Sequence, residues 1–101
     1  MNVHLLDKMS NFKKLDDNDW ESGWWKLDEG VVKKLVGGEI YFHKTRQAPS
    51  FYGGIITGYR IEQEGQYQGM IVFRLKHSLS CRNVKTGTGG WSHNIKIINP
   101  D

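Results

Sequence analysis

The sequence predicts an α+β domain that is mainly β: a small curled antiparallel sheet or barrel with one or two short helices. Three observations lead there. Twelve glycines stand against two prolines in 101 residues, a balance that suits strands and tight turns better than a helical bundle. Residues 39–43, 51–61 and 68–77 are apolar β-type runs bounded by polar or glycine-rich stretches. One segment alone, 28–36, has a sound helical stripe with a start and a stop signal. The length implies one domain over 1–101.

Taken in order, residues 3–15 place Val3, Leu6, Met9 and Phe12 near helical spacing. The expectation is a short helix or a docked arm within 1–19. Asp16-Asp-Asn-Asp19 is a turn and a candidate helix N-cap region. Residues 20–27 hold three tryptophans. Trp24 and Trp25 are consecutive, so in extended chain they point to opposite faces. One is expected in the core and one toward a groove.

Asp28 can cap a helix in which Val31, Val32, Leu35 and Val36 form an apolar stripe, and Gly37-Gly38 supplies the left-handed stop. In 39–43, Ile40 and Phe42 share one face, while Glu39, Tyr41 and His43 share the other. A polar, basic loop with Pro49 follows. In 51–61 the glycines at 53, 54 and 58 suggest a bulge or a close backbone approach. Residues 62–66 form a turn centred on Gly65. In 68–77, Ile71, Phe73 and Leu75 make the core face, with Arg74 and Lys76 on a partly wet side. A hydroxyl-rich, basic connection leads through a glycine-rich loop to Trp91. A last strand over 95–98 turns Ile95 and Ile97 to one face and Lys96 to the other.

Net charge is +3, unevenly spread. Residues 1–30 carry four Lys against seven Asp and Glu, a net of −3; residues 31–101 carry ten Lys and Arg against four, a net of +6. An acidic lead and a basic body suggest an anionic partner, or a homodimer in which one copy's lead meets the other's body.

Catalytic patterns are absent. Cys81 is the one cysteine, which rules out an intrachain disulfide and fits a reducing, cytoplasmic setting. The four histidines include no pair at metal-ligand spacing, so neither metal nor cofactor is expected. The run Lys85-Thr-Gly-Thr-Gly-Gly90 lacks the Gly-Lys-Ser/Thr and the helix of a phosphate loop, and reads as a hairpin loop. Cys81 has Arg82 beside it and His77 four residues earlier, yet reads as an ordinary thiol. No apolar run approaches the roughly 20 residues that span a bilayer. The expectation is a binding module and not an enzyme.

What remains is cationic and aromatic. Lys44, Arg46, Arg60, Arg74 and Arg82 lie on strands or connecting loops, interleaved with Tyr52 and Trp91 and preceded by Trp24 and Trp25. Basic groups attract phosphates and planar side chains stack bases, so RNA or single-stranded DNA is the expected partner. His43 ends its strand beside Lys44, where it could reach a ligand.

Gly23-Trp-Trp-Lys26, the helix at 31–36, Gly38-Glu-Ile-Tyr-Phe-His-Lys44 and Gly54-Ile-Ile-Thr-Gly-Tyr-Arg60 follow in an order that resembles PUA-type pseudobarrels, particularly their EVE and ASCH branches. Residues 23–77 carry the resemblance. It implies binding of RNA or a modified base in a cleft lined by the loop after Phe42. His43, Lys44, Arg46 and Ser50 would form the rim, and Trp24 or Trp25 a stacking wall.

Overall fold

The computed structural model describes residues 1–7 and 12–99. Its elements are β1 (Asn2–Leu6), β2 (Phe12–Lys14), β3 (Asp19–Trp25), α1 (Glu29–Leu35), β4 (Glu39–His43), β5 (Tyr52–Ile61), β6 (Ile71–His77), a 3₁₀ turn (Leu79–Cys81) and β7 (Ile95–Ile98). All seven strands join one sheet in the order β2-β3-β6-β5-β4-β1-β7. The α+β, mainly β expectation holds. Two details differ from it. The sheet is mixed, because β1 runs parallel to β4. It is also open, with β2 and β7 as unjoined edges.

The sheet nevertheless curls tightly. Phe12 on β2 packs edge-on against Phe42 on β4, with centroids 4.7 Å apart, although three strands separate them in the order. The concave face holds the main core, built from Val3, Leu5, Ile40, Phe42, Ile56, Ile71, Phe73 and Leu75. Alternation in β1, β4 and β6 directs these residues inward together. Val32 and Leu35 from α1 complete the core.

Of the two expectations for the N-terminal segment, a short helix or a docked arm, the helix does not form over residues 2–6, which are a strand. Asn2–Leu6 lies between β4 and β7, with Val3 and Leu5 fully buried. Val3 and Leu5 alternate with His4, and that period of two is what the fold uses; the Val3–Leu6 helical spacing is incidental. Met9, the third member of that spacing, lies outside the described residues. Asp16–Asp19 caps no helix. It turns β2 into β3, with Leu15 N–H donating to the Asp19 carbonyl at 2.8 Å.

The helix expected at 28–36 forms over Glu29–Leu35, with Val32 and Leu35 of its stripe buried and Val36 exposed. Asp28 accepts the Gly30 N–H, and Gly37 has φ +91°, the left-handed value that ends the helix. The glycines of β5 have two roles. A Cβ on Gly53 would stand 2.7 Å from Cys81 Cβ, and one on Gly54 would strike the Lys76 carbonyl, so both permit close approach. Gly58 instead sits where the β5–β6 register shifts.

Part of the convex face of β5-β4-β1-β7 is also buried. Residues 78–94 return across it, placing Cys81 over Gly53 and Trp91 against His4 and His43. His4, Tyr41, His43 and Lys96 are therefore all at most 8% exposed. This covering decides the fate of several candidate site residues.

Candidate nucleic-acid interface

At one end of the sheet β2, β4 and β6 finish while β3 and β5 begin, and their aromatic residues meet. Phe12 contacts Trp20, Phe51 and Tyr52; Trp20 also contacts Tyr52, and Tyr52 stacks on His77 at 4.4 Å and 12°. These rings are all half-buried. Three exposed cations lie over them. Lys14 Nζ stands 5.9 Å from the Trp20 ring, Lys44 Nζ 4.3 Å from Phe51, and the Arg82 guanidinium carbon 5.2 Å from Tyr52. The ring quadrupole attracts a cation in this geometry and fixes its position.

Local structure explains the convergence. Lys14 faces Trp20 across the β2–β3 pair. Lys44 directly follows β4, and Phe51 N–H donates to the Phe42 carbonyl at 2.8 Å, which brings the far side of the 44–50 loop back beside it. Arg82 leaves the 3₁₀ turn, and its Nε donates to His77 Nε2 at 3.1 Å. That bond leaves the His77 proton on Nδ1. Burial and then the Arg82 charge push the His77 pKa down, so this ring remains a neutral platform.

The sequence-derived residues divide among several places. Lys44, Tyr52 and Arg82 are on this rim. Trp24 and Trp25 are not: they stand at the far end of β3, Trp25 buried and Trp24 stacked on Tyr67 at 4.2 Å. His43 is fully buried and belongs to no rim. Its Nδ1 lies 2.9 Å from the Ala48 carbonyl and its Nε2 2.8 Å from His4 Nδ1. The carbonyl requires a proton on His43 Nδ1, so Nε2 accepts and His4 Nδ1 donates. Ser50 is buried and structural, donating to the Cys81 carbonyl at 2.7 Å and accepting the Val84 N–H at 2.9 Å.

Arg46 and Trp91 form a separate contact. The Arg46 guanidinium carbon lies 5.9 Å from the Trp91 ring, and its Nη2 donates to the His93 carbonyl. Trp91 is half-buried against His4 and His43, and mainly packs the returning segment onto the sheet. Arg60 and Arg74 meet carboxylates of the acidic lead: Arg60 Nε lies 3.1 Å from Glu21 Oε2, and Arg74 Nη2 3.5 Å from Asp19 Oδ2. Their charges are largely met within the chain.

Lys14, Trp20, Phe51 and His77 join the rim although their local sequence does not single them out as ligand-binding. Lys14 and Trp20 flank an Asp-rich turn at equal distance, which is a legible hairpin signal. Nothing local points Phe51 or His77 toward the others.

No nucleophilic pair forms at Cys81. The thiol is fully buried, donates to Glu39 Oε2 at 3.3 Å, and has its pKa pushed up to about 11 by burial and by Glu39. It stays protonated at neutral pH. Among the described residues no group of three or more His, Cys, Asp or Glu is arranged to hold a metal ion, and no helix is long and apolar enough to cross a membrane. Comparison with known families, curated proteins and solved structures gives no match for this chain.

Proposed function

We propose that the chain is a small non-catalytic module that binds single-stranded RNA or DNA through the rim of Lys14, Lys44 and Arg82. One observation carries the reading: three exposed cations each lie over a different ring of a single continuous aromatic cluster. Phosphates are drawn to the cations, and the partly exposed rings beside them offer bases apolar contact. A cation already held over a ring has less freedom to lose on binding. The PUA-type resemblance of residues 23–77 implies the same ligand class. The proposed setting is cytoplasmic, and the binding needs no cofactor.

Fluorescence polarisation with labelled oligo-U and oligo-dT across a salt series tests this. The expected result is binding at low salt whose logarithmic salt slope is about −2, since each of three phosphate contacts to a single strand contributes about −0.7. Replacing Lys44 and Arg82 together by Ala should weaken binding and bring the slope to about −0.7. Arg74→Ala, which removes a cation paired with Asp19, should leave the slope unchanged. Absence of binding at low salt, or equal losses in both variants, rejects the proposal.

A further inference from the structure

A concavity lies away from the rim. The open sheet leaves a gap between the C-terminal end of β3 and the edge strand β7, and a cavity of about 790 Å³ occupies it. Trp24, Trp25, Leu27, Met70, Ile95 and Ile97 form its apolar walls. Lys26, Ser92, His93 and Asn94 contribute its polar lining. None of the lining residues is Asp or Glu. The volume falls within the roughly 300–1,000 Å³ of small-molecule sites.

Both indoles are already fixed. Trp25 Nε1 donates to Ser22 Oγ at 3.1 Å. Trp24 Nε1 donates to Glu62 Oε1 at 3.1 Å, while its ring lies against Tyr67 at an interplanar angle of 9°. Arg60, at 3.0 Å, pairs with Glu62 while also pairing with Glu21, so this carboxylate is engaged within the chain, and it is not among the residues that line the cavity. Each indole N–H is satisfied, and what remains for the cavity is flat apolar surface. The polar residues of the lining are Lys26, Ser92, His93 and Asn94, and the formally charged one among them is a cation. His93 is held in place through its carbonyl by Arg46 at 2.6 Å.

We infer that this cleft binds a small molecule with a flat apolar body and a terminal carboxylate. The body lies along the tryptophan wall and the aliphatic side chains of β7, and the carboxylate meets Lys26. The site is independent of the rim, and its occupant is not a nucleic acid.

An NMR titration that follows the four indole N–H signals, with naphthoate and its neutral amide as probes, decides the matter. Naphthoate is expected to shift the Trp24 and Trp25 signals saturably and leave those of Trp20 and Trp91 in place. The amide should bind more weakly. Lys26→Met should weaken naphthoate binding by about threefold to fivefold, as for a partly exposed ion pair, without changing the amide. Arg82→Ala should change neither, which separates this site from the rim. The proposal is overturned by any of four results. These are no saturable shift, equal binding of acid and amide, displacement of naphthoate by oligonucleotide, or Trp24 and Trp25 signals that broaden with protein concentration alone because a second copy fills the cleft.

Discussion

A methyl group on Gly54 would meet backbone. Its Cβ would stand 2.7 Å from the Lys76 carbonyl carbon, which cannot rotate away. Gly54→Ala should therefore destabilise the fold by about 2 kcal/mol, the usual cost of forcing a methyl into a packed site. At Gly58 nothing lies within 4 Å, so Gly58→Ala should cost much less in the same urea melts. Three glycines in one strand signal a bulge or a close approach, and β5 contains both, at different positions. His43 could not be read this way. Glu39, Tyr41 and His43 alternate with the core residues as a wet face would, and His4 on β1, the 44–50 loop and Trp91 of the returning segment together cover Tyr41 and His43. That burial has a pH consequence. The His4 pKa is lowered from 6.5 to about 4, by burial first, then by His43 and Lys96, and that of His43 is lowered mainly by burial. Between these values the unfolded chain takes up a proton that folded His4 refuses, so stability falls as pH drops from 6.5 toward 4. For His4 the loss is on the order of 3 kcal/mol. Urea melts over this range should show it, and His4→Phe should flatten the curve. An unchanged curve in that variant would assign the acid sensitivity to other groups.

At the scale of elements, local signals succeed where an element is specified by its own residues. Helix α1 has its cap, stripe and stop within ten residues, and it forms at Glu29–Leu35. Asp28→Ala should cost about 1 kcal/mol through loss of the cap bond to Gly30 N–H. Asp28→Asn should retain most of that stability, because the amide oxygen can accept the same bond. If thermal melts rank the two variants equally, the cap contributes little. Strand β1 is the contrasting case. Its five residues suit a strand or a loosely amphipathic helix, and the decision comes from β4 on one side and β7 on the other. Those partners lie far along the chain, and no window of local sequence contains them. The mixed character of the sheet was hidden for the same reason, since it rests on the parallel β1–β4 pairing alone. The rim repeats the lesson. Lys14 and Trp20 share one hairpin, whereas Phe51 reaches the cluster through its backbone bond to Phe42 on β4, and His77 because β6 pairs with β5.

Across the whole molecule, the charge totals were legible and their disposition was not. A lead of −3 and a body of +6 invite the idea that two copies associate head to body. Topology answers much of that charge within one chain. Strand β3 comes from the acidic lead and lies antiparallel to β6 from the basic body, with Glu21 opposite Arg74. Asp19 reaches Arg74, and Glu21 reaches across to Arg60 on β5. Two lead carboxylates and two body cations are thereby committed before any second copy arrives. Exposed pairs of this kind contribute only about 0–1 kcal/mol each to stability, so their main effect is on the field the domain presents. The net positive charge is then carried in part by exposed residues such as Lys14, Lys44 and Arg82, and fewer lead carboxylates are left for a second copy to meet. Light scattering should therefore report a monomer at low and high salt alike. A mass that rises toward twice the monomer as salt is lowered would mean that the acidic lead is still available to a second copy, and would restore the head-to-body dimer.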